Sequence, residues 1–326
     1  MASSFKARAK RALAGGLGAV AVATLAPLGL AQPAAAATTP VCTSTSHPSL
    51  AAKLSRDITS ALHGRTDTYA LDVWDPHTGV SCSLHATYHF DSASVVKAAI
   101  MGTVLWKEKG KYLNEYELSN LRPMIQNSDN QAATNLWNYL GRSEINAFLK
   151  KVGMTHTVLG PGGYWGLTQI TAHDEMMLLD ALTDRTDVLT ANGKAFAQSL
   201  MASVESDQRW GTPYGTPKGV TAHVKNGWLP RATLGWRVNS LGIFNGGGRD
   251  YRMVVLTDNQ STMEYGITTI ERVALQVHHD LGDISSTAGG APSPRRAMEQ
   301  PLAQPGSDAP RVATGDGSAP YGSVKG

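Results

Sequence analysis

Ser94 and Lys97 stand in F-D-S-A-S-V-V-K-A-A-I-M, where an ammonium group falls among apolar and small residues. Burying that charge is expensive unless it is paired or neutralised. Three residues apart on a helix, the two side chains share one face about a turn apart. A serine hydroxyl attacks a carbonyl only when a neighbour takes its proton. Lysine takes that proton when desolvation or nearby positive charge brings its pKa toward working pH. The alternative is a snorkelling lysine beside a helix-capping serine. Two further stretches carry chemistry. They are Ser128-Asp129-Asn130, in N-S-D-N-Q-A-A-T-N-L, and Lys225-Asn226-Gly227-Trp228, in A-H-V-K-N-G-W.

The surrounding patterns say which elements must hold these residues. His47–Leu62 carries Leu50, Leu54, Ile58 and Leu62 at a spacing of four, which predicts an amphipathic helix. Residues 68–84 read as two strands around the turn Asp75-Pro76-His77-Thr78-Gly79. Residues 94–108 form an apolar helix, and Asn114 to Val204 is mostly helical, broken by L-G-P-G-G-Y-W-G at 159–166. Three strands and a helix with Ile267, Ile270, Val273, Ala274 and Val277 follow. Strands from both chain ends with helices between predict an α/β sandwich, an antiparallel sheet carrying a helical insertion. A small-molecule site belongs in the cleft between the two subdomains.

Lys6, Arg8, Lys10 and Arg11, then an uncharged stretch Ala12–Leu30 and Ala35-Ala36-Ala37, have the pattern of a removable secretory signal over residues 1–37. A membrane anchor is the alternative. Losing those four cations takes the formal charge from +3 to −1, which excludes a basic footprint for nucleic acid. Residues 283–326, rich in Pro, Gly, Ser and Ala, read as a disordered tail, leaving 38–282 as one domain. Export favours pairing of Cys42 with Cys82, with two buried thiols as the alternative. No transmembrane segment is expected after signal removal, no cofactor is implied, and a monomer is the simplest state. His278-His279, the one close histidine pair, falls near the end of a helix and without H-E-x-x-H does not suggest a metal site.

S-x-x-K, S-D-N and K-N-G, in that order and on suitable elements, resemble the signature of the penicillin-recognising serine enzymes, class A β-lactamases most closely. The resemblance implies that Ser94 becomes the acyl-ester, that Lys97 is its base, and that Ser128, helped by Lys225, protonates the leaving nitrogen. The charge of Lys225 would also keep the pKa of Lys97 low. It further implies that Asn130, Asn226, Gly227 and Trp228 bind substrate. The backbone N–H groups of Ser94 and Trp228 would form the oxyanion hole.

Two departures stand out. Class A β-lactamases carry a water-activating glutamate in the loop after S-D-N, and residues 155–171 hold no Glu or Asp. Gln169 could position a water but cannot take its proton, and Glu144 and Glu175 read as solvated or structural. Trp228 also stands where the family has a small residue, and is expected to crowd the cleft wall. The expected substrate is a β-lactam or a peptidoglycan-like amide or ester, with a persistent acyl-enzyme. A catalytically silent penicillin-binding protein or a DD-peptidase-like enzyme is the alternative.

Overall fold

The computed structural model of the chain describes residues 40–65, 68–109 and 111–282. The expected signal and tail lie outside the described residues. Strand β1 (Cys42–Thr43), helix α1 (Pro48–Leu62), and strands β2 (Tyr69–Asp75) and β3 (Val80–Leu84) come first. At the other end lie strands β6 (Thr221–Pro230), β7 (Trp236–Gly246) and β8 (Arg249–Gln260), then helix α7 (Met263–Gly282). The six pair as one antiparallel sheet in the order β1-β3-β2-β8-β7-β6, so the two chain ends meet where β2 pairs with β8. This is the sandwich expected from the sequence.

Leu54, Ile58 and Leu62 of α1 and Ile267, Ile270, Val273 and Val277 of α7 are buried against one sheet face, as their helical spacing requires. The other face carries the inserted helices: α2 (Val96–Glu108), α3 (Glu115–Gln126), α4 (Asn130–Val152), α5 (Ala172–Thr183) and α6 (Ala191–Ala202). Helix α2 runs through the middle of this second core. Its residues from Val96 to Leu105 are all buried, and it is apolar all round except for Lys97 and for Thr103, whose hydroxyl donates to Ala99 O. Capping fixes the neighbouring helix starts. Asn114 and Glu117 form a capping box on α3, and the Asp129 side chain accepts the Ala132 N–H at the start of α4.

A second, two-stranded sheet pairs β4 (Phe90–Asp91) with β5 (Gln169–Ile170), tying the segment before Ser94 to the end of the 155–171 loop. Cys42 faces Cys82 across β1 and β3, and the two form a disulfide.

Candidate active site

Ser94 lies in a short 3₁₀ turn, Ala93–Val95, that feeds directly into α2. Ala93, with φ 46°, holds a left-handed conformation that a residue with a Cβ rarely takes. The turn is held by Ser92, whose N–H donates to Thr168 O at 2.8 Å, and by Asn239 of β7. The Asn239 amide donates to Asp91 O at 2.9 Å and Ser92 O at 3.2 Å, and its oxygen accepts the Thr257 N–H. Asp91 is also gripped by Arg237 at 3.0 Å and by the Gln169 amide at 2.6 Å.

One turn after Ser94, Lys97 is fully buried. Its Nζ donates to Ser128 O at 2.6 Å, Ser128 Oγ at 3.0 Å and Asn130 Oδ1 at 2.8 Å. An ammonium has three N–H donors, so these acceptors satisfy it in full. From β6 the Nζ of Lys225, also fully buried, donates to the same Ser128 Oγ at 3.0 Å and to Asn226 O at 2.8 Å. Burial without a carboxylate partner pushes Lys225 down to about 7. Ser128, with φ 55°, is the second left-handed residue of the site. Such strain clusters where surrounding structure over-determines a functional geometry.

Ser94, Lys97, Ser128, Asn130, Lys225 and Gly227 are thus brought together. Gly227 shows why glycine is needed there. A Cβ on it would come within 2.7 Å of Ser94 N, 2.8 Å of Val95 N and 3.0 Å of Ser92 O, all backbone atoms.

Asn226 and Trp228 are not in the positions expected of them. Strand alternation puts Lys225 and Gly227 on the face toward Ser128 and Ser94 and turns Asn226 and Trp228 to the opposite face. Both donor protons of the buried Asn226 amide are spent on Gln208 O at 2.8 Å and Trp210 O at 2.9 Å, leaving none for a substrate carboxylate. Trp228 packs edge-on against Trp210, ring centroids 5.8 Å apart, and joins the core under α1 and α7 rather than walling the cleft. The Gln169 amide nitrogen donates to Asp91 Oδ1 at 2.6 Å and to Leu167 O at 3.3 Å. Glu175 is not solvated. It is wholly buried, neither carboxyl oxygen has a hydrogen-bond partner, and burial beside Asp174 pushes it up to about 8.

The sequence reading missed the aromatic wall contributed by the 155–171 loop. The ring of Trp165 lies over Lys97 Nζ, 4.8 Å from its centroid, and Tyr164 and Leu167 pack on Ala93 and Leu229. Trp165 stood in the G-P-G-G-Y-W-G break, where a loop aromatic carries no signal of what its face will meet. Asn239 was equally silent, one polar residue in an apolar strand.

A serine oxygen shared between a helical lysine and a strand lysine, set where a sheet meets a helical insertion, is the centre of the candidate site. The chain belongs to the β-lactamase enzyme family, whose model matches residues 106–281. That match includes Ser128 and Lys225 but begins after Ser94 and Lys97. Solved structures sharing the fold include a class A β-lactamase representative from Bacteroides cellulosilyticus (TM-score 0.61, 18% identity, covering 71% of this chain and 98% of that one). The TLA-3 extended-spectrum β-lactamase gives TM-score 0.60 at 14% identity, covering 69% and 97%. A β-lactamase from Sphaerobacter thermophilus gives 0.61 at 17%, covering 72% and 98%. No curated protein matches the chain. Membership supports a hydrolase. Among the described residues no helix is long and apolar enough to cross a membrane.

Proposed function

We propose that this is an exported serine acyl-transfer hydrolase that forms an acyl-enzyme on Ser94 from a β-lactam or a cell-wall-peptide-like amide or ester. The observation that carries the reading is Ser128 Oγ, 3.0 Å from both Lys97 Nζ and Lys225 Nζ. Two ammonium groups sharing one oxygen disfavour each other, so one proton leaves the trio readily. Burial makes Lys225 the natural site of that loss. Ser128 can then give its proton to Lys225 and take one from Lys97, which leaves Lys97 neutral beside Ser94.

In the attack, Lys97 takes the Ser94 proton while Oγ bonds to the carbonyl carbon, whose π electrons move to oxygen. Two backbone N–H groups, of Ser94 and Trp228, would receive that oxyanion. When the tetrahedral centre collapses, the C–N bond breaks and Ser128 hands its proton to the leaving nitrogen. Lys97 then passes the proton it took from Ser94 to Ser128, so that Ser128 and Lys97 are restored and the net transfer is one proton from Ser94 to the leaving nitrogen.

Deacylation is slow on this reading, because the 155–171 loop brings an aromatic wall and no carboxylate. Residues 1–37 act as a secretion signal, and the mature protein works as a monomer with 283–326 as a tail.

Intact-mass spectra after incubation with a panel of β-lactams test the proposal. The parent should gain a lasting adduct on Ser94 that Ser94→Ala lacks. Equal labelling of both proteins, or of neither, favours the silent binding-protein alternative. Fast multiple turnover of a chromogenic cephalosporin would contradict slow deacylation.

A further inference from the structure

Trp165 is fully buried and reaches Lys97 from the loop side of the site. Its placement is imposed from several directions. The indole Nε1–H donates to Thr134 Oγ1 of α4 at 3.2 Å, and the Trp165 and Gly166 carbonyls accept from Ser92 Oγ at 3.4 and 3.3 Å. Upstream, Gly160 lets the loop fold back on itself, since a Cβ there would fall 1.9 Å from Tyr164 O. Arg142 clamps the same bend through the Leu159 and Gly160 carbonyls. The ring therefore covers Lys97 as a fixed wall of the fold.

An aromatic face attracts a cation and offers a neutral amine little, and the attraction grows when water is excluded. Lys97 is thus under two opposed influences. The ring and three acceptors favour its ammonium, whereas Lys225, acting through Ser128, favours loss of a proton. The other buried titratable groups on elements packed against α2 are Glu117 on α3 and Asp174 and Glu175 on α5. Glu117 is engaged by the Asn114 N–H and Lys107, and Asp174 by His156 and Thr157. Glu175 has Asp174, not Lys97, as its charged neighbour.

We infer that Trp165 is a positioning residue for Lys97: its π-face holds the Nζ as a dry ammonium and so sets the pH at which Lys97 becomes a base. The inference deepens the acyl-enzyme reading, and its relevance to rate rests on that reading.

The test is a titration of ¹³Cε-lysine-labelled full chain by NMR, with the Lys97 signal assigned by its loss in Lys97→Arg. In Trp165→Leu, which keeps an apolar side chain but removes the π-face, the Lys97 midpoint should fall by about one pH unit. Trp165→Phe, a smaller and weaker π-face in the same place, should fall by less. Thr134→Val, which keeps the ring, should stay within a few tenths of the parent. The rising limb of acylation, which reports the proton lost by the coupled Lys97–Ser128–Lys225 trio, should move in the same direction. An unchanged midpoint in Trp165→Leu overturns the inference. Should that variant not fold, a Trp165→Phe midpoint equal to that of the parent overturns it. The midpoints are read without substrate, so failure of every protein to acylate would refute the acyl-enzyme reading and leave this result standing.

Discussion

In the proposed mechanism Ser128 is the residue on which the chemistry turns, because its single oxygen meets two lysines that belong to different parts of the fold. The trio should lose one proton near pH 7, the value to which burial brings Lys225. Acylation of Ser94 is therefore expected to rise with pH through about 7 and level off above it. In Lys225→Arg the guanidinium stays charged at all working pH. Ser128 then has no neutral partner on the strand side, and the rising limb should leave the accessible range with a loss of about 10²-fold or more at pH 7. Stopped-flow acylation against pH checks this; an unchanged limb in the arginine variant would place the titration elsewhere. Lys97 was legible in the sequence because a cation in an apolar run demands an explanation, and Lys225 because K-N-G follows S-x-x-K and S-D-N in the order of the family signature. Asn226 was misread because its role depends on which face of the strand it shares, and only the packing of Gln208 and Trp210 decides that.

At the scale of elements, the site is made by the close approach of edge strand β6 to the turn before α2. Gly227→Ala puts a methyl group against Ser94 N and Val95 N, and backbone atoms cannot swing aside as a flexible side chain can. Acylation should drop by about 10²-fold with an unchanged far-UV CD spectrum, because the loss falls on the oxyanion geometry. A fully active alanine variant would mean that strand and turn are not held in this contact. At the opposite edge the Cys42–Cys82 bridge closes a sequence separation of 40 residues and fastens β1 to β3. Replacing both cysteines by serine should cost about 2–4 kcal/mol in urea unfolding without touching acylation, since the bridge lies on the far edge from β6. Element types and order were readable from periodicity, as the helices α1 and α7 and the last three strands show. The pairing of β4 with β5 was not, because two-residue strands carry no period to read.

Across the molecule, two buried titratable groups tilt stability in opposite directions with pH. Glu175 has an ordinary value of 4.5 and lies at about 8 in the fold, so the native state keeps a proton that the unfolded chain releases. Its contribution is whole below about 4.5 and is lost as pH rises toward 8. His278 has an ordinary value of 6.5 and lies at about 4, so stability is lost as pH falls between those values. Glu175→Gln should therefore raise the unfolding free energy at pH 8 by an amount on the order of a few kcal/mol, seen as a higher melting temperature, and change little at pH 4.5. Equal melting temperatures at pH 8 would show that the carboxyl finds a partner or water. The topology itself has a further bearing. Tyr69 pairs with Thr257 and Trp74 with Arg252, so the centre of the sheet joins segments lying far apart along the chain. Contacts of such long sequence separation form late and slowly. A ribosome must therefore release nearly all of residues 40–282 before the nascent polypeptide can close its sheet, and Ser94 emerges well before the strand bearing Lys225 exists to meet it.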